Sequence, residues 1–501
     1  MIEVLGDAFQ LIATWESILM LIVGVLVGVV FGAIPGISVT MAVALALPFT
    51  FVLEPVAGIL LLLGVYKGGI FAGCIPAILL KTPGTPASSA TILDGYPMAN
   101  NGQAGKALGI ALYASCTADV ISNLTLILFA GWLASFAMKF GPPEFFTLIV
   151  FSLTIIAGIA GEKLFHGLLS AVLGLLLATV GLDLVFGTDR FIMGNTELMG
   201  GLNFIVVLIG LFAIPEIVEY ARRPSDENLK VQSLGNDSVT LGEFKRCFKT
   251  IFRGGVIGAV LGAIPGLGAA PAAFLSYGEA RRASKNRDNF GKGEMEGIAA
   301  SESGNSGVAG STLIPLLALG IPGDVVTAII IGAFMIHGIQ PGPLLFQNHA
   351  DLVYALFMGL ILSSFFLLII GGVSIKLFKN IADVPKSIML PTILVLCVFG
   401  GYAVNNSIFD LLVMFTLGAL GYAMLRLSLP AAPFLIAFVL GPLLEDNFRQ
   451  SMLMSGGGMD VLFRSPITWI FWALTVSTVF FITKSRIRDR KRMQVSAVYS
   501  Q

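Results

Sequence analysis

The chain has 501 residues, 56% of them hydrophobic and 12% charged, with 30 basic side chains balancing 30 acidic ones. Soluble domains carry about a quarter of their residues as charged groups, so a water-soluble globular protein is excluded, and the neutral total gives no sign of nucleic-acid binding. Four cysteines without close-pair spacing (Cys74, Cys116, Cys247, Cys397) and three scattered histidines point to neither a disulfide framework nor a metal cluster.

No Lys or Arg precedes Lys67, so the N-terminus lacks the basic region of a cleaved signal peptide and the first hydrophobic segment is expected to be retained. Residues 18–33 are uncharged and run into GAIPG (32–36), a helix breaker in apolar surroundings. Lys67 and Lys81 flank an apolar run at 68–80, which leads into LKTPGTPASSATILDG (80–95). A long helix is predicted over 106–139, with Asp119 inside it. Uncharged runs follow at 151–159, 168–180 and 204–214. The stretch 221–253 then holds seven basic residues, Arg222, Arg223, Lys230, Lys245, Arg246, Lys249 and Arg253. Within it FKRCFKTIFR (244–253) alternates basic and apolar residues at helical spacing, which predicts a helix lying along the membrane interface. GAIPG recurs at 262–266, and the polar loop 281–292 carries Arg281, Arg282, Lys285, Arg287 and Lys292. ESGNSGVAGST through IPGD occupies 302–324, and a last span at 466–483 precedes a tail with Lys484, Arg486, Arg488, Arg490, Lys491 and Arg492. The expectation is an all-α polytopic membrane protein with roughly 11–14 hydrophobic helical segments, at about 20 residues per span.

The two GAIPG copies stand 230 positions apart, and a second pair of markers supports a duplication. IPAILLKTPG (75–84) and IPLLALGIPG (314–323) share five of ten positions at an offset of 239, with the loop 281–292 accounting for the difference. Flanking charge sets the hand of the repeat. The first GAIPG has only Glu3, Asp7 and Glu16 before it, whereas the second follows the seven basic residues of 221–253. Equivalent loops of opposite charge character predict inverted repeats, with the N-terminus outside and the basic tail cytoplasmic. The expected organisation is a first repeat over 1–220, a cytoplasmic linker and interfacial helix over 221–253, a second repeat over 254–445, and an extra transmembrane helix with its tail over 446–501.

Inverted repeats with interrupted helices or re-entrant hairpins are the architecture of secondary transporters, whose sites form where helices break. An unwound stretch exposes backbone groups that lipid cannot satisfy. Four stretches are expected to be unwound: 32–38, 80–95, 262–268 and 302–324. Candidate substrate-binding residues are Pro35, Gly36 and Ser38 at the first, and Lys81, Thr82, Pro83, Gly84, Thr85, Ser88 and Ser89 at the second. The third contributes Pro265 and Gly266, and the fourth Ser303, Asn305, Ser306, Pro322 and Gly323. Hydroxyl, amide and carboxylate oxygens make Thr82, Thr85, Ser303, Asn305, Ser306 and Asp324 candidate sodium ligands, while free amides at half-helix N-termini favour a carboxylate. Close helix packing accounts for an isolated Ser or Gly, but not for clusters flanking Pro-Gly in both halves. Lys81 can meet a substrate carboxylate or stand where a sodium ion would bind, and both lysines can instead snorkel to an interface. Asp119 is a candidate for bonding across helices. GVAGST (307–312) lacks the Gly-Lys-Ser/Thr of a phosphate loop and no catalytic motif appears, so the chain reads as neither an enzyme nor a cofactor carrier.

GAIPG at 32, AILLKTPGTPASSATILDGYPMANNGQAGKALGIA (77–111) and GVAGSTLIPLLALGIPGD (307–324) together resemble the large permease subunit of the tripartite tricarboxylate transporters, over essentially the whole length. The resemblance implies a bacterial inner-membrane permease working with a small membrane subunit and a periplasmic binding protein that delivers a carboxylate. It further implies a sodium or proton gradient as the driving force and, by analogy with other carboxylate carriers, an elevator-like motion. The chain departs from the family pattern at Lys81, more often Asn, at Asn305-Ser306, more often Asn-Asn, and at Lys67, which stands in a stretch usually rich in Gly and Tyr. These departures bear on the number of coupled ions. Two readings of other classes stay open, a non-transporting scaffold or sensor that docks a loaded binding protein, and a passive anion channel.

Overall fold

The computed structural model describes residues 2–160, 164–183, 186–222, 238–382 and 386–499. Arg223 and Lys230 of the basic stretch, and the side chains of Arg486, Arg488, Arg490, Lys491 and Arg492, lie outside the described residues. Among the described residues nine helices are long and apolar enough to cross a membrane, and four shorter apolar helices accompany them. The chain is thus an all-α polytopic membrane protein.

In chain order the helices are α1 (Ile2–Ile12), α2 (Trp15–Ala33), α3 (Val39–Ala46), α4 (Pro55–Ala72), α5 (Cys74–Leu80), α6 (Ser89–Met98), α7 (Ala104–Ala137), α8 (Pro142–Ala160) and α9 (Leu164–Ala178). They continue as α10 (Phe204–Leu208), α11 (Ile214–Arg222), α12 (Leu241–Gly262), α13 (Ala269–Ala283), α14 (Met295–Ser306), α15 (Val308–Ser311), α16 (Leu313–Leu319) and α17 (Val325–Ile336). The last are α18 (Leu345–Asn348), α19 (Ala350–Ala382), α20 (Lys386–Ala403), α21 (Ile408–Arg426), α22 (Ala431–Met454) and α23 (Pro466–Tyr499). They divide into two compact units, one of residues 1–138 and 204–422, the other of 139–203 and 423–501.

The second unit is built on α8, α9, α22 and α23, with α9 so close to α22 that a Cβ on Gly174 would stand 2.1 Å from the Phe434 carbonyl oxygen. Four of its charged residues form one network. Arg449 bonds Asp183 at 2.5 Å and Glu445 at 2.6 Å, and Arg190 bonds Glu445 at 2.7 Å.

In the first unit α2 begins at Thr14, whose hydroxyl accepts the Ser17 N–H, and ends where Pro35 offers no donor and Gly36 turns at φ 90°. Gly24, Gly28 and Gly32 line its face toward α4. A Cβ on Gly24 would stand 2.3 Å from the Leu61 carbonyl oxygen, on Gly28 2.2 Å from that of Val65, and on Gly32 2.6 Å from that of Gly69. Only hydrogen fits there, so the two helices pack backbone against backbone. The spacing recurs in α12, where Gly254, Gly258 and Gly262 face the carbonyl oxygens of Ala300, Gly304 and Val308 at 3.2, 2.6 and 2.9 Å by the same measure.

Two expectations need correction. FKRCFKTIFR is not a separate interfacial helix: α12 starts at a capping box of Thr240 and Glu243 and runs unbroken to Gly262, with Cys247, Thr250 and Ile251 buried. No proline or left-handed residue interrupts it. Residues 302–312 are not unwound either. The joints at Gly307 (φ −62°, ψ −15°) and Thr312 (φ −64°, ψ −19°) stay right-handed, so α14, α15 and α16 follow one helical path. Small Ser and Gly residues there sit against the glycine face of α12, and the Ser122 hydroxyl accepts the Ser311 N–H at 2.8 Å. The break itself is confined to residues 320–324, and that of the first half to 81–88.

Candidate functional site

Four helix ends in the first unit build the site. Helix α5 closes on Lys81 in the left-handed conformation (φ 59°, ψ 20°), and α16 closes on Gly320 (φ 72°, ψ 18°). Each is followed by Pro-Gly and then by a new helix. Thr85 Oγ1 accepts the Ser88 N–H at 3.2 Å in the turn before α6, and Asp324 Oδ1 caps α17 by accepting the Thr327 N–H at 2.7 Å. The Pro-Gly turns abut the GAIPG turns. A Cβ on Gly84 would lie 2.7 Å from the Gly32 carbonyl oxygen, and the Gly266 N–H donates to the Gly323 carbonyl at 2.7 Å. Beyond the breaks, α3 packs on α17 and α6 on α13. At the second crossing Ala87 and Ala90 meet Ala273.

The sequence-derived candidates separate into two layers. Pro35, Gly36, Ser38, Thr82, Pro83, Gly84, Thr85, Ser89, Pro265 and Gly266 are half-buried at the breaks, whereas Ser88, Ser303, Asn305, Ser306, Pro322 and Gly323 are buried. Ser303 Oγ donates to the Ala300 carbonyl at 3.1 Å and Asn305 Nδ2 to the Ile70 carbonyl at 3.3 Å, inside α14 rather than in the broken backbone. Ser306 Oγ is buried without a hydrogen-bond partner among the described residues. Asp324 is a helix cap: Thr327 occupies Oδ1, and the Tyr66 hydroxyl donates to Oδ2 at 2.5 Å. Ser38 donates from its hydroxyl to Glu216 Oε1 at 2.5 Å and from its N–H to Oε2 at 3.2 Å.

The two lysines differ sharply. Lys81 is exposed, its ammonium 5.5 Å from the centre of the Tyr96 ring. Lys67 does not snorkel. It is 2% exposed, and its Nζ donates to Asp119 Oδ2 at 2.9 Å, Asn123 Oδ1 at 2.9 Å and the Leu360 carbonyl at 3.0 Å. Asp119 also accepts from Ser364 Oγ at 2.5 Å, so the pair ties α4, α7 and α19 together.

Roles not foreseen from the sequence belong to Asp94 and Glu302. Asp94 Oδ1 accepts the N–H groups of Gly291, Gly293 and Glu294 at 2.8, 2.9 and 2.8 Å, and Oδ2 accepts the Tyr277 hydroxyl at 2.8 Å. It thereby anchors the end of the loop 281–292 to α6. The signal lay in the loop's glycines, which turn to φ 85° at Gly291 and 105° at Gly293 and aim successive amides at one point. Glu302 is fully buried on α14 beside Thr91 of α6 and Ser115 of α7. At the start of α12, the Lys106 ammonium at 2.8 Å, helped by the N–H and hydroxyl of Thr240, holds the Glu243 carboxyl down to about 2.

Residues 18–436 match the tripartite tricarboxylate transporter TctA family. The chain belongs to this family. A TctA-family protein is the large subunit of a transporter rather than an enzyme, and the tripartite system implies further subunits and a substrate-binding protein. Two curated relatives come from Agrobacterium vitis. The "Uncharacterized 52.8 kDa protein in TAR-I ttuC' 3'region" is 36% identical over 491 residues, covering 98% of both chains. The "Uncharacterized protein in TAR-II ttuC' 3'region" is 36% identical over 234 residues, 47% of this chain and 97% of that relative. No solved structure matches.

Proposed function

We propose that the chain is the cation-driven permease of a three-part importer, carrying a di- or tricarboxylate across the bacterial inner membrane in symport with sodium or protons. In this reading its partners are a small membrane subunit and a periplasmic protein that hands over the carboxylate. Residues 1–220 and 254–445 act as inverted repeats joined by the cytoplasmic segment 221–253, and 446–501 add a further span and a cytoplasmic tail. The N-terminus is periplasmic.

The observation that carries this reading is the matched register of the broken helices. Positions 230 apart on one helix and 239 apart on its neighbour have the same part: Gly24 with Leu61 and Gly254 with Ala300, then Gly28 with Val65 and Gly258 with Gly304. The turns correspond likewise, Lys81 with Gly320 as left-handed helix ends and the Thr85–Ser88 bond with the Asp324–Thr327 bond. Each break exposes backbone that a lipid-facing helix would not tolerate, and a scaffold or sensor has no use for two of them. The substrate carboxylates meet the N-terminal amides of α6 and α13 together with Thr82, Thr85, Ser89 and the two GAIPG turns. Asn305, with Ser303 and Ser306 beside it, lines the coupling-cation path behind them.

The test is uptake of labelled citrate into proteoliposomes holding the chain and both partners. Uptake collapses when the sodium and proton gradients are removed. Undiminished uptake, or a requirement for ATP, refutes the reading. Flux that never exceeds the substrate's own gradient indicates a passive channel, and capture of the binding protein without uptake indicates a scaffold. Asn305→Ala lowers the apparent affinity for the coupling cation several-fold, and an unchanged cation dependence removes Asn305 from the path.

A further inference from the structure

Glu302 is the one buried carboxyl of the first unit whose described contacts are hydroxyls and an amide, with no cation and no backbone N–H among the described residues. It is fully buried on α14, 0% exposed. Thr91 Oγ1 of α6 touches its Oε1 directly, and Ser115 Oγ of α7 lies 3.3 Å from its Oε2. The direct Thr91 contact leaves no room for a metal ion between the two oxygens. Thr91 Oγ1 is also 3.1 Å from Ser301 Oγ, which donates in turn to the Gly297 carbonyl at 3.0 Å.

Counting hydrogens gives the consequence. Thr91 has one hydroxyl hydrogen and two oxygens to serve. When Glu302 is ionised, that hydrogen points to Oε1. When Glu302 is protonated, Oε1 carries the hydrogen, Glu302 donates to Thr91, Thr91 donates to Ser301, and Ser301 donates to Gly297. Both states leave every group satisfied, and passing between them needs one added proton and a rotation of one O–H bond, with no covalent bond broken.

The buried charged groups on the elements packed against α14 have partners of their own. Asp94 of α6 holds Tyr277 of α13 and three amides, Lys67 of α4 holds Asp119 of α7, and Tyr66 of α4 holds Asp324. At the ends, Arg246 of α12 pairs with Glu294 and also faces Glu296 of α14 itself, Arg253 of α12 lies 4.0 Å from Glu279 of α13, and Lys106 of α7 pairs with Glu243. Lys245 and Lys249 of α12 and Arg281 and Arg282 of α13 are exposed, and the thiols of Cys74, Cys116 and Cys247 are buried.

Resting on the cation-driven reading above, we propose that Glu302 binds the coupling proton of this permease, with Thr91 as its switching partner. Thr91 stands in the first turn of the helix that follows the break at 81–88, so movement of that break relative to α14 removes the hydroxyl that the ionised form needs. A proton from the more acidic side then occupies Oε1, and it is released when the contact re-forms facing the other side.

Two readouts test this. In lipid nanodiscs, infrared spectra of the full chain titrated through the neutral range gain a protonated-carboxyl band on acidification, and Glu302→Gln lacks it. Thr91→Val, which removes a donor to the ionised form, moves the midpoint upward by roughly one to two pH units. Identical wild-type and Glu302→Gln spectra at every pH, in samples that remain monodisperse, overturn the proposal. In proteoliposomes with both partners, a proton gradient drives labelled-citrate accumulation by wild type and not by Glu302→Gln. Accumulation that survives Glu302→Gln, or that only a sodium gradient drives, also overturns it. Wild type that accumulates citrate under neither gradient refutes the transport reading instead, and the infrared titration still decides whether Glu302 exchanges a proton.

Discussion

Removing the ammonium of Lys67 without its partner strands a charge inside the first unit. Lys67 Nζ makes three bonds, at 2.9, 2.9 and 3.0 Å, and one of them neutralises Asp119. In Lys67→Met the Asp119 carboxylate keeps Ser364 and Asn123 as donors, while its Oδ1 already has no partner among the described residues. Breaking a buried pair by deleting one member costs about 3–5 kcal/mol. Lys67→Met/Asp119→Leu removes both charges and leaves only neutral groups short of a partner, about 1 kcal/mol each. The double variant is therefore more stable than either single one. Thermal unfolding of the full chain in detergent, followed by fluorescence, ranks the four proteins. Additive losses across the cycle, or a Lys67→Met loss below about 1 kcal/mol, would show that the pair does not hold α4, α7 and α19.

Asp94→Ala leaves three amides and the Tyr277 hydroxyl without their acceptor; since the loop can reach water, the loss is about 3 kcal/mol. Amide exchange should quicken at 287–294 and not in α4, and Asp94→Asn should be milder because it keeps an acceptor for the amides. Gly28→Ala forces a Cβ to within 2.2 Å of the Val65 oxygen and should destabilise the chain by more than about 2 kcal/mol, whereas Gly6→Ala, with nothing within 4 Å, should cost nothing; equal thermal midpoints would discount the glycine face. The Glu243 cap depends on an ionised carboxyl. Its folded value is depressed, so its contribution is full above the ordinary value of 4.5 and is lost as pH falls toward about 2. Exchange protection of the first turn of α12 should fall over that window in wild type and be pH-independent in Glu243→Gln.

The membrane spans and the positions of the helix breaks were legible because each is written locally, in uncharged runs and in Pro-Gly pairs. What was not legible depends on contacts distant in sequence. Basic-apolar alternation at 244–253 describes an interfacial helix and the solvent-facing start of a packed helix equally well, and the packing of α12 on α14 decides between them. Ser303 and Asn305 read as unwound because Ser, Gly and Asn favour turns, yet the stripe Gly254, Gly258 and Gly262 gives that stretch a backbone surface to pack on as a helix. A lysine in an apolar run can snorkel or pair. Lys67 pairs because Asp119, 52 residues away, is brought beside it. The anchoring role of Asp94 lies in amides 197 to 200 positions further on, and the glycines at 291 and 293 mark those amides without naming their partner. The division of the chain into two units was likewise hidden, since the second joins segments separated by more than 200 residues.

Three buried ionisable centres of the first unit, Lys67, Asp94 and Glu302, are built on different principles. Lys67 meets a carboxylate, an amide oxygen and a carbonyl, so its charge is fully matched and its position fixed. Asp94 accepts from three backbone N–H groups, donors that cannot turn round, so its environment locks one geometry. Glu302 meets hydroxyls, which donate or accept with equal ease, and no cation among the described residues. A fixed charge serves architecture and an invertible one serves exchange. The carboxyl that can change its proton also lies across the contact between α6 and α14, so its protonation and the position of the broken helix constrain each other.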